Sequence, residues 1–273
     1  MSPLSPETLS VHVAPGELAA VLWRGLRPQL ADKRRVPVNP LPGTPGGGVV
    51  PALAALLREF PTCRRLRLVL AAPFTPLQLL PWRDDLRDRD EALALARLGF
   101  TEVYGEAAAD WPLRLSDAPP GQARVAAAVD GELLAALADT ARGARMRLLA
   151  LQPALSAVAN HWRGRFDRQS TAWVVVHEPG RLTLALIEHG AWRWLRSLRA
   201  DADWGERLPE VLEHEALLAG AEALPAHALV FSPTEEVLSQ RAGSAWSLRR
   251  LLPEARRDFL PASDAPFSLA LIG

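Results

Sequence analysis

The order of predicted elements repeats along the chain, and this repeat limits the possible folds more than any other feature. Thr8–Val13 and Glu17–Trp23 are β-prone segments that flank an Ala-Pro-Gly turn, and Arg34–Val38 adds a third strand. The apolar residues of Val49–Phe60 have helical spacing, and Leu66–Ala72 is typical of a buried strand. We therefore predict an antiparallel meander that is followed by a helix and a further strand.

The second part of the chain shows the same order of elements. Its first strands are separated by a Pro-Gly turn and a His-Gly turn, which are short turns typical of hairpins. The predicted elements are three strands, a helix, a strand and a helix, at Ala172–Glu178, Arg181–Glu188, Ala191–Arg199, Trp204–Gly220, Ala226–Ser232 and Thr234–Gln240. The order β-β-β-α-β-α thus occurs twice, which predicts two similarly built lobes.

The stretch between the two repeats has no counterpart in either. It is predicted to contain a helix, two strands, a helix, a strand and a helix, at Asp84–Leu98, Trp111–Ser116, Ala123–Val129, Gly131–Arg142, Leu148–Gln152 and Pro153–Trp162. The last of these helices returns to the first lobe. We therefore predict an α/β protein. Its first lobe spans residues 1–165 and carries a small α+β insertion at about 84–147, and its second lobe spans residues 166–273.

Charge and cysteine content exclude several classes of function. The 31 basic and 31 acidic side chains cancel, so the chain lacks the positive field that binding to nucleic acid or to an anionic membrane requires. The single cysteine, Cys63, cannot form an internal disulfide, which favours the cytosol. Five prolines interrupt the long uncharged run Val36–Leu57, and the N-terminus lacks a signal peptide. We expect no direct insertion into a membrane.

Motifs for nucleophilic or zinc chemistry are incomplete. Cys63 precedes a strand, and we interpret it as a packed thiol. His214-Glu215 begins like the H-E-x-x-H helix of zinc proteases, but Leu218 stands where the second histidine is needed. The sequence contains no G-x-S-x-G nucleophile motif. The sequence therefore predicts no catalytic residue and no metal site.

Acidic and glycine-rich segments offer weaker alternatives. The run Asp84–Glu91 carries carboxylates that could bind a divalent ion, but the interleaved arginines favour a salt-bridged helix start. Asp201 and Asp203 form a D-x-D pair, as in metal-dependent sugar transfer. The glycines of Gly43–Gly48 are not followed by the G-K-[ST] of a phosphate loop, and we interpret the segment as a flexible connector.

The repeated meander resembles the actin-like ATPase fold of actin, Hsp70 and sugar kinases, whose two lobes are RNase H-like. In that family each lobe begins with a strand, a tight phosphate-binding turn containing D-x-G, and a returning strand. The resemblance places His12 at the first aspartate and Ala14 at the first glycine, with Gly16 closing the turn. A late Gly-Gly that cradles the adenosine would fall near Ser232-Pro233.

The second turn departs from the family pattern in the same way. The resemblance places His177 at the aspartate and Pro179 at the glycine, followed by Gly180. Proline removes a donor N–H from a phosphate turn, and a neutral histidine cannot replace a carboxylate beside magnesium. The resemblance therefore implies a pseudo-ATPase that binds no nucleotide cofactor.

Within the superfamily, the sequence resembles the GspL cytoplasmic domain of type II secretion and PilM of type IV pili. Leu66–Leu115, which contains an L-P-W segment, is similar to the corresponding part of GspL-type sequences. The resemblance implies a cytoplasmic scaffold, peripheral at the inner membrane, that binds a PilN-like bitopic protein or the assembly ATPase. The alternatives are a divergent ATPase or kinase of the same fold and a free-standing cytosolic regulator.

Tryptophans are the candidate partner-binding residues, because tryptophan and arginine are enriched among interface anchors. Trp192 and Trp194 alternate with Arg193 along a predicted strand, so we expect both indoles on one face. Trp82 and Trp111 flank the inserted segment.

Overall fold

The computed structural model describes residues 7–25, 29–39, 46–86, 88–166, 171–221, 227–234, 246–256 and 258–273. In chain order, the helices and strands of these residues are β1 (Glu7–Val13), β2 (Glu17–Arg24), β3 (Gln29–Pro37), α1 (Val49–Arg58), β4 (Arg65–Leu70), β5 (Leu77–Leu80), α2 (Arg89–Tyr104), β6 (Leu113–Leu115), β7 (Arg124–Ala128), α3 (Gly131–Gly143), β8 (Arg147–Pro153), α4 (Ala154–His161), β9 (Thr171–Glu178), β10 (Arg181–Glu188), β11 (Ala191–Arg199), α5 (Trp204–Leu218), β12 (His227–Phe231), β13 (Ser247–Leu251) and α6 (Ser268–Ile272).

The first repeat forms a five-stranded sheet in the order β3-β2-β1-β4-β8, with an antiparallel meander and two parallel strands. Side chains alternate between the two faces of a strand. Val11 and Val13 of β1 therefore face the core under α1 and α3. Ser10 lies on the opposite face, beside Val21 of β2, which packs against α6.

The second repeat forms a sheet with the same strand arrangement, β11-β10-β9-β12-β13. One face of this sheet packs against α5 through Trp173, Val175, Leu208 and Leu212, all of which are buried. The duplicated order of strands confirms the repeat predicted from the sequence. The helix predicted at Thr234–Gln240 lies, apart from Thr234, outside the described residues.

The first two strands of the two meanders correspond residue by residue. Gly16 and Gly180 close equivalent turns 164 residues apart, and β2 and β10 are related by the same spacing. Both meanders contain a β-bulge at the same place, between Leu22 and Trp23 in β2 and between Leu186 and Ile187 in β10. The extra residue lies on the third strand of each meander, which bends and twists the strand locally.

Residues between the repeats form a separate three-stranded sheet, β5-β7-β6, that packs against α2. Phe100 and Ala96 of α2 are buried in its core. The predicted helix at 84–98 starts too early, because Asp88 caps the helix by accepting from the N–H groups of Asp90 and Glu91. The helix also continues six residues beyond the predicted end, to Tyr104.

The described chain groups into two compact units by its contacts. One comprises residues 1–75, 129–161 and 253–273, and the other comprises residues 76–128 and 162–252. These units differ from the predicted boundaries. The three-stranded sheet is grouped with the second repeat, whereas α3 packs against α1 in the core of the first unit. The last residues return to the first unit, where Lys33 Nζ lies 2.7 Å from a carboxylate oxygen of Asp264.

Candidate functional site

The two turns that the family resemblance singles out are tight hairpins. In the first, Pro15 and Gly16 connect β1 to β2, and the N–H of Ala14 donates to the carbonyl of Glu17 at 3.0 Å. In the second, Pro179 and Gly180 connect β9 to β10. Proline contributes no backbone N–H, so both turns lack one donor that an anion could use.

Glycine is required for conformation in only one of these turns. Gly180 has φ +76°, a conformation that side chains with a Cβ rarely adopt. Gly16 is not among the residues with positive φ, and a Cβ there would meet no atom within 4 Å. The two turns therefore share the Pro-Gly sequence without sharing one backbone geometry.

The two candidate histidines do not occupy equivalent positions. His12 lies three residues before Pro15, whereas His177 lies two residues before Pro179. The residue equivalent to His177 in the first repeat is therefore Val13, which faces the core under α1 and α3. Because side chains alternate along a strand, His12 points to the opposite face of its sheet.

His177 belongs to a buried polar and aromatic cluster. Its Nδ1 lies 2.9 Å from Oγ of Ser232 at the end of β12, and Ser232 Oγ lies 2.8 Å from Oγ1 of Thr234. The imidazole stacks on the indole of Trp204 with ring centroids 4.2 Å apart and an interplanar angle of 22°. His177, Ser232 and Trp204 are each at most 5% exposed.

This cluster joins two positions that the sequence singled out, His177 and Ser232, to one that it missed. Trp204 begins α5, and its large ring fills the space beside the second turn. Sequence reasoning also passed over Glu178, a carboxylate only 3% exposed that stands at the end of β9. The signal for Glu178 was its position directly before the Pro-Gly turn.

Trp192 and Trp194 lie on opposite faces of the second sheet, so the prediction of a shared face is wrong. Residues directly opposite each other on antiparallel strands share a face. Trp194 is opposite Leu186, on the face that packs against α5, whereas Trp192 is opposite Ile187. The bulge inserts Arg193 between them, and the extra residue breaks the regular alternation.

Trp194 is fixed by a buried carboxylate. Its Nε1 donates to Glu215 Oε2 at 2.9 Å, and Arg196 Nη1 lies 3.0 Å from Glu215 Oε1. The side chain of Glu215 is 2% exposed, so both donors compensate the cost of burying its charge. These contacts give Trp194 and Glu215 a structural role.

Trp82 and Trp111 lie in the part of the chain that forms the three-stranded sheet β5-β7-β6. Trp82 is 38% exposed, and its Nε1 donates to Asp84 Oδ1 at 2.8 Å. Trp111 is half-buried and packs on Tyr104 with ring centroids 5.4 Å apart. Of the four candidate tryptophans, Trp82 therefore offers the largest accessible ring surface.

The other candidates from the sequence do not assemble into a reactive site. Cys63 is buried and donates to the carbonyl of Arg65. Asp201 and Asp203 are exposed at the start of α5, and Asp201 lies 3.9 Å from Arg207. In the part of the chain that the structure describes, no three His, Cys, Asp or Glu side chains could share a metal ion.

Among the described residues, two carboxylates have a lowered pKa. The hydrogen bond from Arg83, aided by its charge, lowers the pKa of Asp85 on the exposed start of the insertion. At Asp264, burial acts to raise the pKa, but hydrogen bonds from Lys33 and the Leu260 N–H hold it below its usual value. Neither group lies in the His177 cluster.

Within the described residues, no helix combines the length and apolar character needed to cross a bilayer.

Comparison with known proteins identifies the fold. No protein-family profile and no curated protein matches the chain. A chain of the PilM–PilN type IV pilus biogenesis complex matches with TM-score 0.70 and 15% identity, covering 97% of this chain and 96% of that chain. The cytoplasmic domain of EpsL, an inner-membrane component of the Vibrio cholerae type II secretion system, matches with TM-score 0.58 and 14% identity, covering 90% of each chain.

A third similar structure belongs to a protein whose fold has been named. A Bacteroides thetaiotaomicron protein of unknown function matches with TM-score 0.57 and 10% identity, covering 82% of this chain and 80% of that chain. That protein is described as having an actin-like ATPase fold. The duplicated sheets described above, together with these three similarities, establish that the chain has the actin-like ATPase fold.

Proposed function

We propose that this protein is a non-catalytic scaffold of a type IV pilus or type II secretion-like assembly platform. It binds a cytoplasmic segment of a membrane partner such as a PilN-like bitopic protein, and this partner holds it at the inner membrane. The proposal has two parts, which are tested separately. The first is the absence of nucleotide binding, and the second is the partner.

The His177 cluster is the observation that carries the first part. In the family pattern, this turn contributes a carboxylate that governs magnesium, and the adenosine motif follows a late strand. The family resemblance assigns His177 and Ser232 to these positions. In the structure His177 Nδ1 and Ser232 Oγ bond to each other, and the Trp204 ring stacks on the imidazole. Pro179 further removes a donor N–H from the turn. The bonded and stacked groups of His177, Ser232 and Trp204 supply no carboxylate for Mg²⁺, and the nearby carboxylate of Glu178 is itself buried at 3% exposure.

Titration calorimetry of the full chain with ATP and Mg²⁺ tests this part. We expect no saturable heat beyond dilution, and no rise of the melting temperature at millimolar nucleotide. A ligand at 100 times its Kd stabilises a protein by about 2.7 kcal/mol, so the melting assay would detect even moderate binding. ATP binding in the low micromolar range would overturn the pseudo-ATPase proposal.

The alternative is a divergent ATPase or kinase that takes its carboxylates from outside the usual turns. Asp201 and Asp203 are the available pair, and both are exposed. Phosphate release that is abolished in Asp201→Asn or Asp203→Asn, with an unchanged circular dichroism spectrum, would establish this alternative. Asp139→Asn is a suitable control, because Asp139 is also exposed and lies on α3.

The partner is proposed from two of the similar structures. One comes from a PilM–PilN complex, and the other is the cytoplasmic domain of an inner-membrane component. The direct test is calorimetry between this protein and the cytoplasmic peptide of a bitopic protein encoded by a neighbouring gene. We expect saturable 1:1 binding that a scrambled peptide does not reproduce. A genomic neighbourhood without pilus or secretion components, together with no binding, would favour a free-standing cytosolic regulator instead.

A further inference from the structure

A pocket of about 260 Å³ lies beside the three-stranded sheet β5-β7-β6, and none of its lining residues belongs to the His177 cluster. It lies where β5 ends, β7 begins and α2 starts, and its walls include Trp82, Arg83, Arg89 and Arg124. Small-molecule sites usually measure about 300–1,000 Å³. The pocket is therefore too small for a nucleotide or another large cofactor, and its size suits one or two side chains of a peptide.

Arg124 is the charged group of this pocket that lacks a partner. Its residue lies opposite Leu80 on β5, and its Nε is inaccessible to solvent without a hydrogen bond. Within the described ranges, no carboxylate lies at ion-pair distance from its guanidinium. A guanidinium has five donors in a planar fork that matches a carboxylate. The solvent-inaccessible Nε cannot itself meet an incoming anion. The Nη1 and Nη2 groups of the same half-buried guanidinium also have no acceptor among the described residues, and they are the donors complementary to an anion that enters the pocket.

The other two arginines of the pocket already have partners. Arg83 pairs with Asp85 through Nε and Nη2 at 2.9 and 2.6 Å. Arg89 donates to the Leu115 carbonyl at 3.1 Å, and its Nη1 lies 3.5 Å from Asp117 Oδ1. The lining also contains the carboxylate of Asp88, which caps α2. Three guanidinium groups therefore face one carboxylate in the lining, and Arg124 is the guanidinium that no carboxylate of the described residues neutralises.

Trp82 supplies an apolar surface beside this charge. Its indole is 38% exposed, and the hydrogen bond to Asp84 fixes the ring in place. A preordered aromatic ring gives contact area at a small loss of side-chain entropy on binding. A ligand that suits both features has a carboxylate for Arg124 and an adjacent aliphatic group for the indole.

From this geometry we infer that the pocket is a docking site for a short acidic peptide, in which a Glu or Asp side chain pairs with Arg124 and a neighbouring Leu or Ile covers Trp82. The occupant is a peptide because the arginine and the indole together require charged and apolar groups on adjacent side chains. This site goes beyond the proposed scaffold function, because it needs no membrane partner and would stand even if the chain bound nucleotide.

Nuclear magnetic resonance of the full ¹⁵N-labelled chain tests the site through the indole Nε1–H signal of Trp82, assigned with Trp82→Phe. The probe is the peptide acetyl-Ala-Leu-Glu-Ala-amide, compared with acetyl-Ala-Leu-Gln-Ala-amide and with sodium glutarate. We expect the Glu peptide to shift the Trp82 signal in a saturable way. We expect the Gln peptide to bind at least about 10-fold more weakly, since a charge-assisted pair is the stronger contact. We expect glutarate to bind at least about 10-fold more weakly as well, because it has no apolar side chain to cover Trp82 and is not preordered as a peptide side chain is.

Variants separate a specific site from general attraction to arginines. Arg124→Gln should weaken the Glu peptide at least about 10-fold, and Trp82→Ala, at an exposed position, should weaken it at least about 3-fold. Arg114→Gln, at an exposed position on β6, should leave the binding unchanged. Equal binding of Glu and Gln peptides, binding of glutarate as tight as that of the peptide, or no shift of the Trp82 signal would each overturn the inference.

Discussion

Replacing His177 by the aspartate of the family pattern tests how far the second turn has departed from a nucleotide site. We expect His177→Asp to destabilise the protein rather than to create a magnesium site. The imidazole is 4% exposed, stacks on Trp204 and bonds to Ser232. Aspartate would lose the stacking contact and would place a carboxylate in the same buried volume.

The expected magnitude follows from burial. The hydroxyl of Ser232 can still donate to a carboxylate, but one hydroxyl replaces only part of the hydration that a charge loses. Burial raises the pKa of a carboxyl group, and a rise of about two to three pH units corresponds to about 3–4 kcal/mol at pH 7. Loss of the ring stack adds about 0.5–1.5 kcal/mol.

His177→Asn is the matched control, because asparagine loses the same ring but carries no charge. Since burial raises the folded-state pKa of the introduced carboxyl group, the extra destabilisation of the aspartate variant is absent below about pH 4 and grows as pH rises through the folded pKa. Urea unfolding followed by circular dichroism at pH 4 and pH 7 measures this difference. Equal stability of the two variants at pH 7, or stabilisation of only the aspartate variant by Mg²⁺ and ATP, would refute the reasoning.

Three further predictions concern the packing of the lobes. Trp194→Phe should cost about 1.5–3 kcal/mol in urea unfolding, because it removes a donor from a buried carboxylate, whereas Trp192→Phe should cost less than about 0.5 kcal/mol. Equal costs would contradict the bulge. Gly180→Ala should cost about 1–2 kcal/mol because of its positive φ, whereas Gly16→Ala should change the melting temperature little. Asp264→Asn should be less stable than the parent at pH 7. Since hydrogen bonds lower the pKa of Asp264 against the effect of burial, this difference should disappear in acid unfolding curves as pH falls through the folded pKa.

The sequence predicted the meanders well because local pattern determines them. β9, β10 and β11 alternate with short turns whose Gly180 and Gly190 have positive φ, which glycine tolerates. The start of α2 was placed too early, because an acidic run suits the first turn of a helix as well as the residues before it. Only the hydrogen bonds of Asp88 identify the true N-cap.

Contacts between distant segments explain what the sequence did not predict. Aromatic and charged residues alternate regularly in the sequence Trp192-Arg193-Trp194, as they would in an undistorted strand. Only the pairing of these residues with β10 shows the bulge between the two tryptophans. The stacking of Trp204 on His177 joins residues 27 positions apart, and no periodicity within either element predicts it. Helix α6 is only five residues long, and a helix this short is stabilised by its packing on the first sheet rather than by its own sequence.

Comparison of equivalent residues in the two meanders distinguishes positions that the sheet needs for packing from positions whose residue type differs between the lobes. Core positions in the middle of the first strand are apolar in both lobes, as Val11 and Val175 are, and the bulge is at the same place in both meanders. Positions next to the turn differ, since Val13 corresponds to His177 and Ala14 to Glu178. A change in the core positions costs several kcal/mol, whereas the turn positions serve chemistry that the fold does not need. Under the proposed loss of nucleotide binding, these positions are expected to change first. The bonded and stacked arrangement around His177 lies beside the second turn, and β9 keeps its full pairing with β10 there.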